Sequence, residues 1–447
     1  MPSVVFADIH KPEGSALKLL GAKAAHDRDA IDFAVDANFQ SLKAAFLKRP
    51  PEKRHRYSRL REVKNLDGLI AIEPTYPAEF ETESPPYGTG FVFDVEAGGP
   101  VFASSGSSGQ EKFLYHSWVY NNVVSYLGAR GFFCALEKSP AKTVLNCAYF
   151  EYLLGSGIFI HQICAILDMR SLPLGPNTSI ERVSALIEQH EIDTIVAMPN
   201  VLVSLTQAIN DTSRAQLRNT VYQSSGMHGN DAALLRSSGF HVRAASYSAT
   251  ETGPIGFQCS DCDDDVYHIH EDAMFVEIVD EENGSAVSIG EAGAVLVTPF
   301  SDTGLRLLRY RVGDRARFID EPCSCGSKFR RLQLLGRADE NLNLDGALVT
   351  KQLMRGLLAP VLGERGEFQL EVQWLSNGFE ILLRVSPDNE RRDAELVRNL
   401  ILRHDRIRMA LESDRCLSFR VVFEDHRKFR KTRSGKQLIF IETSDED

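Results

Sequence analysis

The chain has 447 residues and a mass of 49.8 kDa, enough for one large domain and a smaller one. Hydrophobic residues make up 43%, a globular composition, and 50 basic against 61 acidic residues leave a formal charge of -11, which argues against a surface built as a whole to hold nucleic acid. No run of about 18 apolar residues occurs, so no membrane span is expected. The opening MPSVVFADIHKPEG lacks a basic region followed by an apolar block. A secretory signal is therefore not expected, and a cytoplasmic protein is the default.

Residues 1–75 read mainly as helix, because GAKAAHDRDAIDFAVDANFQSLKAAFLKR carries a 3.6-residue apolar rhythm that Pro50 and Pro51 stop. The basic stretch from Lys53 to Lys64 reads as a solvated helical face, or as a docking surface for an acidic partner or a phosphorylated tail. From about 90 to 330, strand-like runs (GFVFDV, TVLNCAYF, TIVAM, HVRAASYS, FVEIVD, AVLVT) alternate with helical ones such as SIERVSALIEQH and LVSLTQAINDTS. Such alternation predicts a large α/β domain. In the last 110 or so residues, EFQLEVQWLS and FEILLRVSP predict a hairpin through Asn377-Gly378. A helix over RRDAELVRNLILRHDRIRMALES and a strand FRVVFED follow, together a small α+β unit. The expected division is 1–336 and 337–447, with a short hinge between.

Five segments carry chemistry. Ser104-Ser105-Gly106-Ser107-Ser108-Gly109-Gln110-Glu111-Lys112 permits a tight loop whose backbone N–H groups and hydroxyls face phosphate oxygens. Tyr247-Ser248-Ala249-Thr250-Glu251-Thr252-Gly253 offers an aromatic ring to stack on a flat base and a carboxylate for Mg²⁺. Arg309-Tyr310-Arg311-Val312-Gly313-Asp314 places a carboxylate after a glycine turn, suited to a ribose diol. Gly336-Arg337-Ala338-Asp339-Glu340 and Thr432-Arg433-Ser434-Gly435-Lys436 complete the series. Two close cysteine pairs, Cys259 with Cys262 and Cys323 with Cys325, lie roughly sixty residues apart and look like a metal clamp rather than a redox centre.

In this order the five segments resemble the adenylate-forming superfamily of acyl-CoA synthetases, luciferases and adenylation domains. A narrower resemblance, carried by Tyr267-His268-Ile269-His270-Glu271-Asp272 and by Cys323-Ser324-Cys325-Gly326, is to its phenylacetate-CoA ligase branch. The resemblance implies a large multi-sheet N-terminal domain and a small mobile α+β C-terminal domain. It implies ATP bound by the 104–112 segment, Gly226, Met227, Tyr247, Asp314 and Arg337. Glu251 holds Mg²⁺, Thr250 and Glu251 assist the chemistry, Lys436 is the catalytic cation and Asp339 the hinge. Some members hold a structural zinc; the matching residues here are Cys259, His268, Cys323 and Cys325, in a strand region of about 255–330. Four such thiolate and imidazole donors fill a tetrahedron and leave no open position, which makes the expected role structural. Cys262 and His270 are credible substitutes. A homodimer is also implied. Gln110 stands where the phosphate loop often has lysine, so Lys112 is the expected source of charge. Leu348 and Val349 stand where many members have a basic residue.

The stretch NCAYFEYLLGSGIFIH matches the branch's acid-pocket element. Tyr149, Phe150 and Tyr152 would form a flat slot with room at Gly155 and Gly157, beside Ala249. Core packing is the competing reading. His161 or Glu151 could read a polar substituent. The expected activity is ATP-dependent activation of a carboxylic acid, aryl or arylalkyl, followed by transfer to a thiol. The thiol is coenzyme A, or alternatively the phosphopantetheine of a carrier protein loaded with an aryl or amino acid. The alternative from another class is an inactive nucleotide-binding or regulatory protein, against which Glu251, Asp314 and Lys436 argue.

Overall fold

A computed structural model describes residues 27–48, 57, 59–92, 96–105, 111–151, 153–223, 226–227, 229–281, 283–301, 305–337, 341–363, 366–388, 392–430 and 438–444. The chain divides into two compact units. The larger takes Met1–Gly106, Glu111–Met227 and Leu235–Ala338; the smaller takes Ser107–Gln110, His228–Leu234 and Asp339–Asp447.

In the larger unit, β1 (Val101–Ser105) and β2 (Glu111–Tyr115) form an antiparallel pair. Five strands then build a parallel sheet: β3 (Thr143–Asn146), β4 (Arg170–Pro173), β5 (Thr194–Ala197), β6 (Asn219–Tyr222) and β7 (His241–Ala244), in the order β4-β3-β5-β6-β7. Every residue of β3, β5 and β6 is buried, the pattern of strands covered on both faces by crossover helices. Those helices start where the sequence supplies caps. Ser179 accepts a hydrogen bond from Arg182 N ahead of Ile180–His190, and Ser117 from Tyr120 N ahead of Trp118–Ala135, each worth about 1 kcal/mol. Helix Ile180–His190 buries Val183, Leu186 and Ile187, the i, i+3, i+4 stripe of an amphipathic helix.

The second sheet is antiparallel at each of its described pairs. It contains β8 (Tyr247–Ala249), β9 (Gly253–Phe257), β10 (Val266–Ile269), β11 (Met274–Val279), β12 (Gly293–Pro299), β13 (Tyr310–Ile319) and β14 (Arg331–Arg337), in the order β11-β12-β13-β14-β10-β9-β8. Helix Arg28–Lys48 packs Phe39, Leu42 and Phe46 against Leu60, Leu69, Ile72, Phe300 and Leu308. The described part of the basic stretch, Arg59, Arg61 and Lys64, is exposed. No helix among the described residues is long and apolar enough to cross a membrane.

The smaller unit holds a two-stranded hairpin, β15 (Asn341–Leu344) and β16 (Ala347–Thr350). Its four-stranded sheet comprises β17 (Glu367–Leu375), β18 (Gly378–Ser386), β19 (Cys416–Phe423) and β20 (Phe440–Ser444), in the order β19-β18-β17-β20. Phe368, Val372, Phe379, Ile381, Leu383 and Val385 form its core with Leu358, Val397 and Ile407. β17 and β18 pair from Glu367↔Ser386 to Leu375↔Gly378, so the expected hairpin forms with Ser376-Asn377 as its turn and Gly378 already in β18, one residue earlier than read.

Several expectations differ locally: LVSLTQAINDTS is split between helices Pro199–Ala208 and Asp211–Gln216, and HVRAASYS between β7 and β8 of different sheets. GFVFDV is not a strand among the described residues: Val92 makes one isolated bridge to Leu305. The helix expected over 391–413 is two helices, Ala394–Ile401 and Asp405–Leu411. His404 has extended backbone, and its ring accepts the Ile407 N–H. A side-chain acceptor takes the place of the preceding carbonyl there, so the helix ends and restarts.

Candidate active site and metal cluster

The segments singled out for chemistry in the larger unit gather at the carboxyl ends of the parallel strands, the edge where open α/β sheets bind ligands. Tyr149 and Phe150 follow β3, Gly226 and Met227 follow β6, and Tyr247 follows β7. Because β3, β5, β6 and β7 are neighbours, residues a hundred positions apart share one edge.

At its centre Glu251 is buried and forms an ion pair with Lys112, while Tyr310 Oη donates to the same carboxylate oxygen at 2.8 Å. Burial pushes the carboxyl group up, but the Lys112 charge and the two hydrogen bonds outweigh it and hold it below the usual glutamate value. Glu251 is therefore an anion, as a Mg²⁺ ligand must be. Lys112 lies on β2 opposite Ser104 of β1, so its ammonium sits at the base of the serine-glycine segment. Tyr247 Oη donates to Asp314 Oδ2 at 3.0 Å. A bulge in β13 assists this meeting: the pairing steps from Ala294↔Arg315 to Leu296↔Arg311, with Gly313 at φ +83°, a conformation that favours glycine. Arg337 pairs with Asp314 across β13 and β14. Arg309 of the same motif is structural: it bridges Glu277 at 3.0 Å and donates to Ile72 O at 2.7 Å.

Gly106, Ser107, Ser108, Gly109, Tyr152, Ser225, His228, Asp339 and Lys436 lie outside the described residues, as do the side chains of Ser104, Ser105 and Arg337. Met227 is buried and Gly226 exposed; Ala249 is half-buried and Thr250 exposed.

The aromatic-glycine element differs from expectation in one respect. A Cβ on Gly157 would stand 2.6 Å from the Phe150 ring, and one on Gly155 would stand 2.7 Å from Phe102. These glycines make room for wall-forming rings rather than leaving open space. His161 is exposed and hydrogen-bonded to Ser171 at 3.2 Å, and Glu151 is exposed.

The candidate metal cluster draws on three segments that the second sheet makes adjacent. Cys259 follows β9, His268 lies in β10, and Cys323 and Cys325 lie between β13 and β14, the last of which pairs with β10. One ligand atom from each of Cys259, His268, Cys323 and Cys325 lies within 4.8 Å of the others. His268 Nδ1–H donates to Phe329 O at 3.4 Å, leaving Nε2, 3.5 Å from Cys325 Sγ, toward the cluster. A backbone partner of this kind orients metal-bound imidazoles. Three thiols and an imidazole match the zinc donor set. Cys262 lies 3.5 Å from Cys259 Sγ but outside the four-donor group. His270 instead faces Arg130 Nη1 at 3.4 Å, beside the bidentate Arg130–Asp272 pair. Burial and the Arg130 charge push its imidazole down to about 3.

Two residues escaped the sequence reading. Tyr310 was taken only as part of a motif, not as the partner of Glu251. Gln369, fully buried in β17, donates to both Arg430 O (3.0 Å) and Leu438 O (2.7 Å) and accepts from Arg430 N at 3.1 Å. It ties together the two ends of segment 431–437. A polar residue between Phe368 and Leu370 in a strand-like run was its signal.

No protein-family model matches the chain. The phenylacetate-coenzyme A ligase of Thermus thermophilus is 24% identical over 331 residues, covering 71% of this chain and 73% of that protein. The Escherichia coli protein of the same name is 23% identical over 292 residues, covering 63% of this chain and 65% of the relative, slightly under two thirds of its length. Among solved structures, 2-hydroxyisobutyryl-CoA ligase in complex with 2-HIB-AMP and CoA superposes with a TM-score of 0.74 at 17% identity, over 92% of this chain and 89% of that one. The o-succinylbenzoate CoA synthetase of Bacillus subtilis gives 0.52 at 16% identity, over 77% and 69%. The resemblance read from the five segments is thus borne out: the chain has the adenylate-forming enzyme fold and is similar in sequence to the phenylacetate-coenzyme A ligases.

Proposed function

We propose that this chain is an AMP-forming acid–thiol ligase that activates a carboxylic acid with ATP and transfers the acyl group to coenzyme A. The observation that carries the reading is the cluster of Lys112, Glu251, Tyr310, Asp314 and Tyr247 at the carboxyl edge of the parallel sheet. The acid's carboxylate oxygen attacks the α-phosphorus, and the bond to pyrophosphate breaks. The thiol sulfur then attacks the acyl carbonyl, loses its proton and expels AMP.

In the first half, Asp314 accepts hydrogen bonds from the ribose, joined by Arg337, and Tyr247 flanks the adenine. Glu251 would hold Mg²⁺, which neutralises phosphate charge when bound. Lys112 must release Glu251 for this, which frees its ammonium for the phosphates and supplies the charge that Gln110 lacks. Lys436 is the cation between carboxylate and α-phosphate. The thiol–imidazole cluster would hold a structural Zn²⁺ with no part in the chemistry. Leu348 and Val349 are uncharged hydrocarbon side chains, so neither supplies a cation to an acceptor; coenzyme A and a phosphopantetheinylated carrier protein are to be compared directly as acceptors.

The test is acid-dependent ATP–pyrophosphate exchange over a panel of aryl, arylalkyl and short carboxylic acids, followed by thioester formation. Exchange absent with every acid would sink the reading. Asp339, proposed as the hinge, provides a second test. Asp339→Pro fixes φ near −65° and removes an N–H. Pyrophosphate exchange is expected to survive while thioester formation falls at least about tenfold, because closure steps rely on a few hinge dihedrals. Equal, small effects on both half-reactions would exclude a hinge there.

A further inference from the structure

His116 and Tyr120 form a buried polar pair that the chemistry above does not use. Ser117 caps helix Trp118–Ala135, which sets His116 just before the cap and Tyr120 on the first turn. Their rings meet edge to face at 4.8 Å, and Phe102 of β1 closes the other side of the imidazole at 5.3 Å. His116 is 5% exposed and Tyr120 3%. Neither ring nitrogen of His116 nor Tyr120 Oη has a hydrogen-bond partner among the described residues. Buried polar atoms are nearly always satisfied, and three unmet ones in one place call for a partner from outside the chain.

Their position says which partner. The Phe102 ring that flanks His116 also fills the space beside Gly155, in the element assigned to the acid pocket. Tyr120 Oη lies 3.6 Å from where a Cβ on Gly253 would stand, at the end of the segment that carries Ala249 and Glu251. The pair therefore lies between the two segments assigned to the acid. We infer that His116 and Tyr120 recognise a hydroxyl group on the carboxylic acid, an inference that rests on the acid-activating reading and narrows its substrate to hydroxy acids.

The donor count supports the choice. A neutral imidazole offers one donor and one acceptor, and a phenol one of each. A hydroxyl complements both. Burial holds the His116 imidazole down to about 4 and pushes the Tyr120 phenol up, so the pair is uncharged at neutral pH. An ammonium or a second carboxylate would find no counter-charge in it.

The test uses the full-length protein and acids in matched pairs: 2-, 3- and 4-hydroxyphenylacetate against phenylacetate, and 2-hydroxyisobutyrate against isobutyrate. Acid-dependent pyrophosphate exchange is measured for wild type, His116→Phe and Tyr120→Phe. At least one hydroxylated acid is expected to exceed its unhydroxylated partner by about 100-fold or more in kcat/KM, because a site built to bond a hydroxyl rejects the analogue lacking it. Each substitution should erase most of that preference while leaving kcat/KM for the unhydroxylated acid and KM for ATP within about twofold. Retained activity on the unhydroxylated acid also reports that the variant is folded. A preference that survives both substitutions, or hydroxylated and unhydroxylated acids used equally by all three proteins, overturns the inference. In the latter case the pair holds only internal water. No exchange with any acid sinks the acid-activating reading, and the inference with it.

Discussion

Lys436→Ala is expected to lower acid-dependent pyrophosphate exchange by about 100- to 1000-fold or more while leaving the chain folded. The magnitude follows from removing one preorganised charge at a site where phosphoryl charge develops. A carboxylate approaching a triphosphate meets like charge, and a cation between the two is physically required. In TRSGK the lysine follows a glycine directly. The fold should not suffer, because the ends of segment 431–437 are anchored independently of Lys436. Gln369 bonds both Arg430 and Leu438, and Leu438 N donates to Arg430 O at 3.1 Å. An unchanged melting temperature with exchange lost is the expected pair of results. Exchange at the parental rate would remove Lys436 from the mechanism.

The thiol–imidazole cluster carries the second large effect. Purified protein is expected to contain about one equivalent of zinc, and Cys323→Ser or chelation to lower the melting temperature by about 10 °C or more, because metal binding is coupled directly to folding. The expectation rests on the packing: Cys259, His268, Cys323 and Cys325 join β9, β10 and the β13–β14 connection, and apart from Val266 and Ile319 the small apolar cluster there consists of cysteines. Cys262→Ser serves as the discriminating control. Cys262 lies outside the four-donor set, so its loss should leave the zinc content near one. Zinc near zero in the wild type, or equal loss of zinc in both variants, would contradict the assignment. Exchange activity per folded molecule should not depend on the metal at low temperature, since a closed four-ligand site offers no open position.

Much of this protein was legible before any coordinates. The apolar runs at 143–146, 194–197 and 293–299 became strands because a continuous apolar stretch between turns has few other places to go. The hairpin read at Asn377-Gly378 formed one residue earlier: Ser376 and Asn377 make its two-residue turn and Gly378, at φ +154°, opens the second strand. The candidate chemistry was visible as residue types in order, since phosphate, ribose and Mg²⁺ each demand particular functional groups. Boundaries were less visible. The break at His404 depends on one side chain accepting the Ile407 N–H, which apolar periodicity does not encode.

What the sequence by itself determined was the identity and order of the chemical groups: the serine-glycine segment, Glu251, Asp314, the candidate cysteines and histidines of the metal cluster and the TRSGK lysine. What only the tertiary structure decided was which of them meet. Sheet order brings Tyr247 to Asp314 and joins Lys112 and Tyr310 at one carboxylate oxygen. It selects His268 over His270 and leaves Cys262 out of the four-donor group. It turns Gly155 and Gly157 into seats for Phe102 and Phe150, and it buries His116 against Tyr120 with no partner among the described residues. The physical reason is that strand pairing and close packing act between residues far apart in the chain. Local pattern specifies what a segment is, and long-range register and packing specify what it touches.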